Sequence, residues 1–223
     1  YRTFNTAKVN LDKLAAHLIN LGYTDSGDYD FSSKKLNAKH FEHSDSSLPK
    51  VFISELRVEE FSENVQEIIG KMVDSIDEAA IADQSFLYSG THWQVSKADY
   101  QTLLAESEYA AWFYLYGYTP NHFTIDVNKL NGFKTLEEVN NSLLESNYTL
   151  NTSGGLIKGS KEVYLEQSST MADKNTYTFI EGEREVPSCF YEFAYRYPLE
   201  SGELFGGFVA ASANKIFEST NLN

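Results

Sequence analysis

One histidine and one glutamate stand on predicted strands where their side chains could share a metal ion. His122 opens a predicted strand over residues 122–127, whose alternation puts His122 and Thr124 on the same face. Glu192 lies inside another predicted strand, 189–196, among aromatic neighbours. A carboxylate buried in such surroundings costs several kcal/mol unless it is paired or metal-bound. Two imidazoles and one carboxylate on one face of the metal are what non-haem iron(II) oxygenases use, so the pattern suggests this chemistry.

Each of the two residues also has a purely structural interpretation. Glu192 could form an ion pair with Arg196, four residues later on the same predicted strand. His122 could be a hydrogen-bonded histidine in the core or at its rim. The remaining histidines lie on the polar side of a helix or in polar stretches without a strand pattern, and are not favoured as ligands: His17, His40, His43 and His92.

An internal repeat indicates how these strands are organised. The pattern LDKL–LI–YT beginning at Leu11 recurs as LEEV–LL–YT beginning at Leu136, at a constant offset of 125 (136 − 11). Amphipathic helices resemble one another, which explains the leucines but not the shared Tyr-Thr exit into a strand. A βαβββ unit used twice is typical of vicinal-oxygen-chelate folds, in which two modules form a half-open barrel around a divalent metal. We therefore expect an α+β fold of this glyoxalase-like type with inserted helices.

The predicted elements place this plan on the chain as a single catalytic domain, 1–223. The first module is 1–58, a helical insertion is 59–120, and the second module is 121–223. Helices are predicted at 11–21, 59–80, 97–116, 136–146 and 213–217, and strands at 2–4, 23–31, 51–58, 122–127, 163–168, 177–181, 189–196 and 205–210, with 32–48 rich in loops.

The repeat also predicts where a second histidine would stand. Moving back 125 positions from His122 gives a position upstream of Tyr1, so the partner histidine is expected in a truncated first strand. The expected ligand set is that histidine, His122 and Glu192.

Composition narrows the possible partners. The formal net charge of −14 disfavours nucleic acid and anionic membranes as partners. A single cysteine, Cys189, allows no internal disulfide, and no apolar run approaches the ~18 residues of a membrane span. We expect a cytoplasmic protein; the oligomeric state stays open.

Six segments resemble the 2-oxoadipate dioxygenase/decarboxylase family, also called hydroxyglutarate synthases. The resemblance covers essentially the whole chain. The segments are VFISEL at 51–56, NHFT at 121–124, GGLIKGS at 154–160, LEQSST at 165–170, CFYEFA at 189–194 and GFVAASANKIFEST at 207–220.

The resemblance implies roles for five residues. His122 and Glu192 would be Fe(II) ligands, and Arg2 would grip a substrate carboxylate with two parallel hydrogen bonds. Ser212 and Gln167 would contact the substrate. Alternatives remain open: Arg2 as a surface arginine, Ser212 as a helix N-cap, and Gln167 as a solvent-facing residue.

The implied reaction is the conversion of 2-oxoadipate and O2 to 2-hydroxyglutarate and CO2. The best-described members of the family are longer than this chain, so a short form could have a differently shaped cavity and prefer another 2-oxo acid. Two other functions remain open, which are a metal-dependent isomerase, lyase or hydrolase on the same fold and a non-catalytic small-molecule binding module.

Overall fold

The computed structural model describes residues 1–221, and they separate into two compact units. Unit 1 comprises 1–120 and 176–185, and unit 2 comprises 121–175 with the residues from Val186 onward. The predicted second module also begins at residue 121, but residues 176–185, which were predicted to belong to it, group with unit 1. No helix of the described chain has the length and apolar character needed to cross a membrane.

Ten strands and seven helices form the regular structure of residues 1–221. The strands are β1 (Arg2–Phe4), β2 (Tyr23–Phe31), β3 (Leu36–His43), β4 (Val51–Leu56), β5 (His122–Asp126), β6 (Lys158–Ser160), β7 (Leu165–Ser169), β8 (Lys174–Phe179), β9 (Gly182–Pro187) and β10 (Phe190–Arg196). The helices are α1 (Leu11–Asn20), α2 (Glu63–Asp74), α3 (Glu78–Ala82), α4 (Lys97–Glu106), α5 (Glu108–Tyr116), α6 (Leu136–Glu145) and α7 (Ala210–Ile216), and short 3-10 turns join several of these elements.

Unit 1 contains a four-stranded sheet and most of the helices. Its strand order is β1-β4-β3-β2, with β1 parallel to β4 and the other pairs antiparallel. The aromatic-rich helix α5 is buried on nearly all sides, which explains why it carries no polar face. Phe113 of α5 packs edge-on against Phe4 of β1, with ring centroids 4.9 Å apart. The helical insertion therefore contributes directly to the core of this unit.

Unit 2 repeats the same sheet plan. Its order is β5-β10-β7-β6, with β5 parallel to β10 and the other pairs antiparallel. A core formed by Val127, Leu136, Val139 and Phe193 joins helix α6 to the sheet. This topology confirms the duplication that the repeat predicted, and the α+β fold class is confirmed with it.

Local sequence explains why the two repeated helices begin where they do. The side chain of Asn10 accepts a hydrogen bond from the backbone of Lys13 at the start of α1, and Thr135 caps Glu138 in the same way at α6. Such caps satisfy amide groups that the first helical turn leaves without partners. Both helices contain ten residues and start 125 positions apart.

Several predicted elements are wrong. The stretch 32–48 contains a complete strand, β3, so His40 and His43 lie on a strand after all. No strand forms at 205–210: residues 205–209 are irregular, and the chain enters α7 at Ala210. The helices predicted at 59–80 and 97–116 are each divided in two, the second at Ser107, which caps α5. Strands β6 and β9 were not predicted.

Candidate metal centre

His122 and Glu192 meet on one face of the unit 2 sheet. His122 pairs with Phe190 and Thr124 pairs with Glu192 across the parallel strands β5 and β10, so the two side chains are diagonal neighbours. The distance between His122 Nε2 and Glu192 Oε2 is 3.2 Å. The side chain of Glu192 is 5% exposed and that of His122 is 21% exposed, so the carboxylate is buried while the imidazole partly reaches solvent.

Glu192 is held by two further side chains on the same face. Thr124 Oγ1 donates to Glu192 Oε2 at 2.8 Å, and Gln167 Nε2 donates a short hydrogen bond to Oε1. Burial, the largest single influence, raises the pKa of Glu192, but the His122 ring and the Thr124 and Gln167 hydrogen bonds outweigh it and lower the pKa below its ordinary value. The carboxylate is therefore ionised and both of its oxygens are oriented.

The ring of His122 is fixed in plane and in direction. It stacks on Phe190, with ring centroids 4.6 Å apart and planes 13° from parallel. Its Nδ1 lies 3.0 Å from Asn121 Oδ1, an acceptor-only atom, so the ring proton belongs on Nδ1. Its Nε2 faces the Glu192 carboxylate.

The donor set of this pair fits a divalent metal. A bare imidazole nitrogen and a carboxylate oxygen repel each other unless a proton or a cation lies near both. Two ligands at right angles, each about 2.1 Å from a metal, stand about 3 Å apart, which is close to the observed separation. Among residues 1–221 no group of three or more histidine, cysteine, aspartate or glutamate side chains could hold a metal, so the described chain offers a ligand pair and not a complete triad.

Arg2 belongs to unit 1 and is buried there. Its guanidinium lies over the rings of Tyr109 and Trp112, 4.6 and 4.9 Å from their centroids. Its NH1 group donates to the Tyr109 carbonyl at 3.3 Å and lies 3.6 Å from Glu108 Oε1. Arg2 is 5% exposed, so the surface-arginine alternative is wrong, and its role as a carboxylate anchor stays a prediction.

Gln167 and Ser212 are both buried in unit 2. Gln167 is 2% exposed and contacts Glu192, so the solvent-facing alternative is wrong. Ser212 lies in the first turn of α7, which Val209 precedes as the N-cap residue, so Ser212 is not an N-cap. Its hydroxyl is 3.2 Å from where a Cβ on Gly159 would stand, so the absence of a side chain at Gly159 gives Ser212 its space. Their proposed contacts with substrate stay predictions.

The remaining histidines have partners of their own. His40 Nδ1 lies 3.0 Å from the Tyr29 hydroxyl, and its Nε2 lies 3.1 Å from Glu42 Oε1. His17 lies 3.0 Å from the Ile81 carbonyl, and His92 lies 2.8 Å from the Ser89 hydroxyl.

The residue that sequence analysis missed is Asn121, whose only signal was its place directly before His122 in the NHFT segment.

The fold and the site together define a class of protein. A candidate glyoxalase-superfamily protein from Ralstonia eutropha superposes with a TM-score of 0.74 at 22% identity, covering 93% of this chain and 72% of that one, which establishes the fold. With its His122–Glu192 pair on one face of the second sheet, the chain is a two-module α+β protein of the vicinal-oxygen-chelate type.

The family follows from closer comparisons. The family model described as 2-oxoadipate dioxygenase/decarboxylase matches residues 1–204, so the chain belongs to that family, as the sequence segments predicted. A chloroplastic 2-oxoadipate dioxygenase/decarboxylase of Arabidopsis thaliana is 33% identical over 246 residues, covering 99% of this chain and 66% of its own length. This chain thus spans just under two thirds of that relative.

Two solved structures are close in both sequence and shape. Hydroxyglutarate synthase from Oryza sativa, in complex with 2-oxoadipate, has a TM-score of 0.88 at 33% identity, covering 98% of this chain and 78% of that one. A candidate hydrolase from Shewanella frigidimarina has a TM-score of 0.91 at 60% identity, covering 94% and 83%.

Proposed function

We propose that this protein is a metal-dependent dioxygenase/decarboxylase of a 2-oxo acid, with 2-oxoadipate as substrate and Fe(II) as metal. The single observation that carries the proposal is the His122 Nε2–Glu192 Oε2 approach of 3.2 Å around an ionised, buried carboxylate. Family membership supports the reaction type, and the 2-oxoadipate complex of the Oryza sativa relative supports the substrate class.

The chain's own residues have separate tasks in this proposal. Phe190 and Asn121 hold the His122 ring so that Nε2 is available as a ligand. Thr124 and Gln167 hold Glu192 ionised and oriented as the second ligand. When bound, Fe(II) would supply the oxygen chemistry that side chains cannot provide. The expectation of a further histidine upstream of Tyr1 stays a prediction.

The test is an oxygen electrode measurement with the protein loaded anaerobically with Fe(II). Addition of 2-oxoadipate should consume O2 and release CO2 in equal amounts, and E192Q should abolish both, because the substitution removes the anionic ligand. E42Q is the matched control, since Glu42 Oε1 also lies close to a histidine Nε2, at 3.1 Å, but belongs to unit 1. E42Q should retain full activity.

The same assay separates the other functions. Turnover of 2-oxoadipate at an unchanged rate without O2 would refute the oxygenase function and favour a lyase or a hydrolase. Hydrolase is the class named for the Shewanella frigidimarina relative. Saturable 2-oxoadipate binding without any turnover by iron-loaded protein would refute catalysis and favour a binding module.

A further inference from the structure

Two buried amide side chains flank the metal-ligand pair in the same unusual way. Each uses one polar atom to hold a ligand side chain and leaves its other polar atom buried without a hydrogen-bond partner. Asn121 is 4% exposed and leaves Nδ2 unsatisfied, and Gln167 is 2% exposed and leaves Oε1 unsatisfied. Buried polar atoms without partners are rare in folded proteins because each one lowers stability.

The orientation of both amides follows from the chemistry of their neighbours. An ionised carboxylate only accepts hydrogen bonds, so Gln167 must turn its NH2 group to Glu192 and its oxygen away. A histidine that binds metal through Nε2 carries its proton on Nδ1, so Asn121 must turn its oxygen to that proton. In both cases the second polar atom of the amide is left without a partner because the first one is oriented toward a metal-ligand side chain.

We propose that Asn121 and Gln167 are positioning residues that preorganise His122 and Glu192 for a divalent metal at the expense of stability. Asn121 fixes the tautomer of His122, and Gln167 fixes the carboxylate plane of Glu192. This inference rests on the proposed function, because it requires that the pair binds metal. Asn121 and Gln167 would thus contribute to the metal affinity although neither binds the metal.

A purely structural role makes the opposite prediction. If the amides existed to stabilise the fold, an apolar replacement of similar size would lower stability and leave the metal affinity unchanged. If they position ligands, each of the apolar variants N121L and Q167M removes an unsatisfied atom but also leaves His122 Nδ1 or Glu192 Oε1 without its partner, so two opposing effects act on the stability of the metal-free protein. Their metal affinity should nevertheless fall, by about 10- to 100-fold as for other residues that orient metal ligands.

The experiment measures two quantities on each variant of the full chain. One is the dissociation constant for Zn²⁺, from calorimetric competition with a chelator, and the other is the urea midpoint of the metal-free protein. N121D keeps an oxygen that accepts from His122 Nδ1, so it should bind Zn²⁺ within a few-fold of wild type although its second carboxylate oxygen lowers stability. N140L is the matched control, because Asn140 is equally buried in unit 2 but accepts from Ser168. It should lose stability and keep its Zn²⁺ affinity.

The outcomes separate this inference from the proposed function. Wild-type affinity in N121L and Q167M would overturn the positioning roles while the metal centre stands. A loss of Zn²⁺ affinity in N140L as large as in N121L and Q167M would also overturn them, because the loss would then follow from lowered stability alone. If the wild-type protein binds no Zn²⁺ and H122A behaves identically, the metal centre itself is refuted and the inference falls with it.

Discussion

Replacing Lys158 with methionine should remove a rise in stability that the wild-type protein shows above neutral pH. Lys158 lies on β6, is 4% exposed, and donates from Nζ to the Asn151 carbonyl at 2.5 Å. Burial lowers the pKa of Lys158 to about 8, against a smaller raising effect of the Glu218 charge. Lys158 is thus a buried amine that the folded protein holds more easily in its neutral form.

The sign and size of the effect follow from linkage. At pH 7 the lysine is protonated in both states, and the folded state bears the cost of burying the charge. As the pH rises from about 8 toward 10.5, the folded protein loses this proton before the unfolded chain does, so the unfolded chain binds more protons and stability rises. With 1.36 kcal/mol for each pKa unit, the rise between pH 7 and pH 10 is on the order of 2 kcal/mol.

Urea unfolding of wild type and K158M at pH 7, 8, 9 and 10 measures this directly. Other groups, including the tyrosines, also titrate near pH 10, so the informative quantity is the difference in unfolding free energy between the two proteins. That difference should change by about 2 kcal/mol in favour of wild type as the pH rises. K161M serves as the matched control, because Lys161 is three residues away and exposed. A K158M difference that is independent of pH would refute the buried, easily deprotonated lysine.

Two further predictions concern the framework of unit 1. Y109F should lower the unfolding free energy by about 1–3 kcal/mol, measured by urea denaturation, because the Tyr109 hydroxyl accepts from the Thr3 amide at 3.0 Å and its loss leaves that buried amide without the acceptor. G117A should be destabilised by at least about 3 kcal/mol, since Gly117 has φ of +58° and an added Cβ would stand 2.2 Å from the Gly90 carbonyl oxygen. G132A is its control in thermal unfolding: Gly132 also has positive φ, but nothing lies within 4 Å of the added Cβ, so a loss as large as that of G117A would contradict the steric argument.

The helices and strands with strong local signals were predictable from sequence. Strand β2 has the predicted bounds, and α1 ends one residue earlier than predicted, because periodicity and capping are local properties. Strand β3 was missed because its core-facing positions include Ala38 and His40, which carry little apolar signal although both are buried. Its strand conformation depends on pairing with β2 and β4, and a local sequence pattern does not show such pairing.

The site was predictable only in part for the same reason. His122 and Glu192 could be selected because a lone carboxylate in an apolar strand demands a partner. The position of Gln167 beside Glu192 depends on sheet register, which brings residues 25 positions apart into contact. No local pattern encodes such a contact, so Gln167 was assigned to substrate and not to Glu192. Asn121 adjoins His122, but the sequence does not show that its side chain turns back to the His122 ring.

The strand register can be compared between the two duplicated sheets. In each unit a 3-10 turn and a residue of positive φ, Lys35 or Tyr164, lead directly into the third strand of the module. Leu36 and Leu165 are therefore counterparts, and counting two residues onward makes Ala38 the counterpart of Gln167.

Pairing extends the correspondence to the metal ligand itself. Ala38 pairs with Ser54, as Gln167 pairs with Ala194, so Phe52 in β4 stands where Glu192 stands in β10. In unit 1 this position packs against aromatic rings, with Phe52 centred 5.6 Å from Tyr29. The two modules share a backbone register but differ in their side chains: Phe52 and Ala38 are apolar at the positions where Glu192 and Gln167 form a hydrogen bond. Because the residues at these equivalent positions differ between the two modules, the repeat is detectable in the helices but not in the strands that form the candidate site.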